Sequence, residues 1–439
     1  MGMAHHFLRR MACAGLLAGT ALLAACAPTN FNHPGQVSRP DVYNQAFPYY
    51  AELCAVSQIS KKPGFGADIS GGAGGHAVMF LGGVCLDRKA GYPVLTECDA
   101  TRAADRPDGV GFSMNSHYSN ANWTGAESSA FYFDGTLAPG QGLTRAGYVA
   151  TQDEAKRRGI YDGVIFHKEV FNGKPANMSA VDWKYEMSVG TDYATTLGRA
   201  RFCARLPVTE PQMRKIMDFL NERNAVYRNG PKTYDSNVLQ DNCNHLTHNA
   251  LAAAGFWSEW PINRFVMLAA LSFPVPKNEL VNLIHRTDAV PVEKIQAIFN
   301  DRLTYQTFMQ YDWLADEPGV LLESEPVHTP NEVYNTSLSL IFYDDPVLGS
   351  YHRNFAHYLK NAHYYDLRTN LEYFASRYAR ILQDRQPLSW WEAHHPALAR
   401  ASGTFPAFYQ RYYDYIAAQQ ARVQQALADL RNTEAPVAR

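Results

Sequence analysis

An α+β fold followed by a mostly α-helical C-terminal domain is what this sequence predicts, on three observations. Short runs rich in β-branched and aromatic residues, bounded by turn residues, recur from about 46 to 275. A strongly signalled helix, opened by Thr209-Glu210-Pro211-Gln212, lies among them. Past residue 276 the strand signals thin out and apolar residues return at helical spacing.

Taken in order, Ala77 to Val84 and Tyr92 to Thr96 are predicted strands around a turn. Ser129 to Phe133, Gly163 to Phe166 and Phe202 to Pro207 are further short strand candidates. Thr151 to Arg158 is a predicted helix. After Thr209 and its capping box, Met213, Ile216, Met217 and Leu220 follow at i, i+3, i+4 and i+7, one face of a helix. Phe265 to Phe273 is apolar but too short to span a bilayer, and is expected in the core. Val292 to Tyr311 is predicted helical, and Arg353 to Leu382 carries dense aromatics at helical spacings. Phe408, Tyr412, Tyr415, Gln419, Val423, Leu427 and Leu430 trace one stripe of a long terminal helix. The abundant tyrosines of this half are expected at a helix–helix core with their hydroxyls at its rim; the alternative is an aromatic groove for glycan or lipid.

The N-terminus has the layout of a targeting segment. Arg9 and Arg10 precede an apolar run, Ala12 to Ala25, too short for a mature transmembrane helix. Its end, Leu23-Ala24-Ala25-Cys26, resembles a bacterial lipobox, which implies a signal peptide over 1–25 and lipidation of Cys26. Ala27, where lipoproteins retained at the inner membrane carry Asp, implies sorting to the outer membrane, facing the periplasm. A turn-rich tether over 26–45 would then lead to a domain at 46–275 and a helical domain at 276–439. The net charge of −2 argues against nucleic acid as a partner, because phosphate binding needs a basic surface. Gly71 to Gly75 lacks the lysine of a phosphate loop and suits close backbone approach beside His76; Gly230-Pro231-Lys232-Thr233 is a turn.

Of seven cysteines, Cys13 leaves with the signal peptide and Cys26 is the acylation candidate. Cys54, Cys85, Cys98, Cys203 and Cys243 remain, an odd number. In an oxidising compartment this partitions into two bridges and one free thiol, which we assign to Cys243. Cys85 and Cys98 flank a turn-containing stretch and suit a hairpin bridge, leaving Cys54 with Cys203. Cys243 stands where a helix begins, in Asp241-Asn242-Cys243-Asn244-His245-Leu246. Unpaired N–H groups and the positive end of the helix dipole favour a thiolate there, although the Asp241 carboxylate opposes it. A thiolate needs a histidine beside it for covalent catalysis, and His76, before Ala77-Val78-Met79-Phe80-Leu81, is the candidate. Cys243, His245 and His248 also raise the question of zinc, but 243 and 245 point to different helix faces and no second ligand cluster is evident, so neither metal nor cofactor is expected.

The stretch from Ser236 to His245 resembles the cysteine-helix motif of circularly permuted papain-like folds. This superfamily holds the PPPDE proteins, the lecithin:retinol acyltransferase-like proteins and permuted relatives of the NlpC/P60 peptidases. Its members carry Asn-Cys followed by Asn or Glu and a hydrophobic helix, here Leu246 to Ala254, with the histidine on an upstream strand. The resemblance spans roughly 70 to 256 and implies an antiparallel sheet with a cysteine-bearing helix. It also implies Cys243 as nucleophile, His76 as general base, and Asn242 beside the Cys243 N–H at the oxyanion. For the third, imidazole-orienting residue it leaves Asn115, His117 and His167 open. The implied activity is a cell-envelope cysteine hydrolase, an amidase or thiol protease acting on peptidoglycan peptides or envelope proteins. A lipid acyltransferase or thiol lipase of the same fold, or a non-catalytic envelope scaffold, are the alternatives. The partners implied are the membrane, through an acylated (palmitate-type) Cys26, and an envelope peptide, peptidoglycan or lipid substrate.

Overall fold

A computed structural model describes residues 40–57, 61–62, 75–98, 108–188, 195–230, 232–237, 241–262, 275–335, 351–358, 360–400 and 404–434. The signal segment, Cys26, most of the tether, Gly71 to Gly74 and Phe265 to Phe273 lie outside these residues.

The first half runs α1 (Pro40–Ala46), β1 (Tyr50–Val56), β2 (His76–Gly82), β3 (Val84–Leu86), β4 (Leu95–Glu97), β5 (Gly109–Met114) and β6 (Trp123–Glu127). It continues with α2 (Ser129–Asp134), α3 (Arg145–Arg157), α4 (Ala180–Ser188), β7 (Arg201–Pro207), α5 (Glu210–Arg228) and α6 (Cys243–Ala253). The second half has α7 (Pro276–Asp288), α8 (Ile295–Asn300), α9 (Arg302–Tyr311), β8 (Leu321–Glu325), α10 (Tyr351–Tyr358), α11 (Leu367–Gln383), α12 (Leu388–His394), α13 (Pro396–Arg400) and α14 (Phe405–Glu434). Six strands form one antiparallel sheet in the order β6-β5-β2-β1-β7-β8, and β3 pairs with β4 beside it.

The sheet carries helices on both faces, so its central strands are buried throughout rather than alternating. Side-chain alternation assigns the faces. Met79, Phe112, Met114 and Trp123 share one face by register, and the Trp123 indole donates to the Leu220 carbonyl of α5 at 2.7 Å. Phe202 shares that face and meets Lys277 of α7 and Phe355 of α10. Helix α6, in contact with β2, α5 and α7, completes this layer. The opposite face carries His76, Val78, Phe80, Cys54 and Ser113, and is covered by α1 and α2. Gly111 is required there: a Cβ on it would lie 2.1 Å from the Tyr132 ring.

Several local expectations hold. The Thr209 capping box forms, with the threonine hydroxyl accepting the Gln212 N–H and Gln212 Oε1 accepting the Thr209 N–H at 3.0 Å. Cys54 is bridged to Cys203 and Cys85 to Cys98, leaving Cys243 as the free cysteine of the described residues. The tyrosine-rich stripe of α14 packs inward, with Phe408, Tyr412, Val423 and Leu430 buried.

Other expectations are corrected. Ser129 to Phe133 is helix, not strand. The Asp108 carboxylate accepts the Ser129 N–H at 2.8 Å, and the turn that follows buries three successive residues, Phe131, Tyr132 and Phe133, where a half-buried strand would alternate. Gly163 to Phe166 contributes one isolated bridge, Tyr118 to Phe166, and no strand. Val292 to Tyr311 is two helices, because Asp301 ends α8 and caps α9 by accepting the Thr304 N–H at 2.8 Å. Strand β8 lies in the half expected to be helical and pairs with β7, so the sheet extends across residue 276. One apolar core likewise includes residues of both halves, among them Cys54, Leu246, Leu280 and Tyr412.

Candidate active site

The cysteine stands where the sequence puts it, at the first residue of α6. Asn242 is the N-cap: its side-chain oxygen accepts the N–H of Asn244 at 2.9 Å and of His245 at 3.2 Å, and His245 reaches back to the Asn242 N–H. That oxygen is therefore engaged in holding the helix start. The Cys243 sulfur accepts the Ala77 N–H at 3.5 Å. The pairing of β2 with β5 stops at Met79 and Phe112, and Ala77 lies two residues beyond its end. Burial pushes the half-buried Cys243 thiol up, while the N–H groups of Ala77, Asn244 and Cys243 itself pull it down by less. Asp241, expected to oppose the thiolate, is turned to Arg223 at 2.8 Å.

His76 opens β2, directly after Gly75 with its φ of +75°. Its Nε2 meets the Ser113 hydroxyl at 2.7 Å. Burial, and then the charge of Arg199, bring its pKa down to about 3, so the ring is neutral at neutral pH. Among the described residues no hydrogen bond joins this ring to the Cys243 sulfur. By alternation the imidazole lies on the face opposite α6, and the sulfur reaches the strand from the other side, at the amide that follows His76. The sulfur thus meets the peptide unit that joins His76 to Ala77, while the ring meets Ser113.

Among the described residues, none of the three candidates for orienting the imidazole hydrogen-bonds to it. Asn115 accepts the His117 N–H at 2.9 Å. His117 and His167 line an open cleft of about 880 Å³ with Ser116, Trp183 and Asp235. The His167 ring meets the Tyr234 carbonyl at 2.9 Å, and burial plus the neighbouring His167 bring His117 down to about 4. The imidazole's partner is Ser113, a residue that sequence reasoning misses. A signal for it exists: once Gly109 to Met114 is recognised as a strand, alternation puts Ser113 on the histidine's face.

The two histidines of α6 both have protein partners. His245 serves the Asn242 cap, while His248 bonds Glu279 at 2.6 Å and the Ser258 carbonyl at 2.9 Å, stacked between Trp257 and Trp260. Among the described residues one group of ligand-type side chains converges, Glu52 with Cys54 and Cys203, and those two sulfurs form a disulfide. No described helix is long and apolar enough to cross a membrane.

The chain matches no protein-family model, no curated protein and no solved structure.

Proposed function

We propose that this chain is a cell-envelope cysteine hydrolase that keeps a permuted papain-like arrangement, held at the outer membrane through Cys26 and cleaving amides of peptidoglycan peptides or envelope proteins. The observation that carries this reading is the unbridged sulfur at the start of α6, bonded to the amide next to His76. His76 Nδ1 has no hydrogen-bond partner among the described residues, so a neutral imidazole has a nitrogen open to a proton. In the proposed reaction the His76 ring turns from Ser113 round the strand end to the sulfur, which attacks the substrate carbonyl as its proton passes to the ring. The oxyanion takes the Cys243 N–H. The imidazolium then protonates the leaving amine, and water, deprotonated by the same ring, releases the acyl group from the thioester.

A non-catalytic scaffold is favoured by one observation: the imidazole is bonded to Ser113 and not to the sulfur. Intact mass after incubation with acyl-ester probes and cross-linked muropeptides separates the readings. Released peptide, abolished by Cys243→Ser and by His76→Ala, supports the hydrolase. A lasting acyl adduct on Cys243 without peptide release moves the assignment to lipid acyl transfer. Neither product rejects catalysis.

A further inference from the structure

We infer that the C-terminal half carries a glycan-binding cleft, separate from Cys243. A cavity of about 570 Å³ opens between α8, α11, α12 and α14, within the size range of small-ligand sites. Its apolar wall is Trp391, Tyr412, Tyr413, Ile295 and Ile381. Trp391 is half-buried, so part of its ring is open to a ligand, while its indole N–H is buried and has no acceptor among the described residues. Tyr412 is already committed to the Val292 carbonyl at 2.6 Å.

The rim decides the ligand class. Gln296, Asn300 and Gln386 bring three carboxamides, each able to donate and to accept, as sugar hydroxyls do. The charged lining residues are of both signs, Asp384, Lys294, Arg380 and a Glu293 already paired with Arg377, so no single strong charge selects an ionic ligand. A ring whose C–H face lies on an indole and whose edge is lined with hydroxyls fits both features. A lipid tail would leave the charged and amide rim without partners. An extended peptide would need a strand edge, and every lining residue lies in helices or their connections.

The test is calorimetric titration of the folded chain with tetra-N-acetylchitotetraose, an uncharged oligosaccharide. Saturable binding is expected, weakened about tenfold by Trp391→Ala and less by Trp391→Phe, which keeps a ring but loses the N–H. Asn300→Ala provides a second variant at an exposed edge should Trp391→Ala misfold, and Cys243→Ala should bind as the parent does. Absence of saturation, parent-like binding by both the Trp391 and Asn300 variants, or binding only to phosphatidylglycerol vesicles overturns the proposal.

Discussion

Replacing His76 by glutamine should make the protein more resistant to acid than the parent. The parent ring is buried and its pKa is lowered from 6.5 to about 3. The unfolded chain therefore takes up a proton on this residue below pH 6.5 that the folded chain refuses. Stability from His76 is present above pH 6.5 and is lost as pH falls towards 3. At about 1.4 kcal/mol per pH unit, the linkage costs about 2 kcal/mol by pH 5 and approaches about 5 kcal/mol across the full span, as an upper bound. Glutamine does not titrate and can still bond Ser113. Glu52 and Glu317, which burial raises to about 7, act in the opposite direction, but they are common to both proteins and cancel in the difference. Urea unfolding from pH 7 to 4 gives the two curves. Parallel curves would refute the buried neutral ring, and with it the open proton acceptor.

Three further outcomes follow from the same geometry. Asn242→Ala removes the acceptor for two N–H groups at the start of α6 and should cost about 1 kcal/mol in denaturant unfolding. Loss of the Cys54–Cys203 bridge, closing 149 residues, should cost about 5 kcal/mol by loop entropy, against about 3 kcal/mol for Cys85–Cys98 across 13; unfolding of the two double-serine variants ranks them. Because burial raises the Cys243 thiol, iodoacetamide at pH 7 should label the folded chain more slowly than the urea-unfolded chain. Faster labelling when folded would show a thiolate already formed at rest.

The parts of the fold that local chemistry controls are legible in the sequence. Thr209 with Gln212, and Asn242 with His245, are caps written in adjacent residues, and both form. The cysteine partition needs only a count and an oxidising compartment. What escapes depends on partners distant in sequence. Leu321 to Glu325 is a strand because β7 offers it an edge, and Ser129 to Phe133 is a helix because Tyr132 has Gly111 to lie against. Propensity cannot see either contact.

The same distinction explains why the candidate site is legible only in outline. The sequence points to Cys243 and His76 meeting at one place, but which side of the strand each approaches is set by register, and one residue of register exchanges the two faces. Cys54 lies opposite Val78 of β2 and Cys203 of β7, and the Cys54–Cys203 bridge makes a slip of β1 against β7 impossible without breaking a covalent bond. The face of His76 is set separately, by alternation along β2 and its pairing with β1 and β5, which puts the ring with Ser113 and leaves the Ala77 amide to the sulfur. The candidate site therefore depends on the non-covalent register of β2 between β1 and β5, one strand away from the covalent link, and that register cannot be read from the Cys243 and His76 motifs alone.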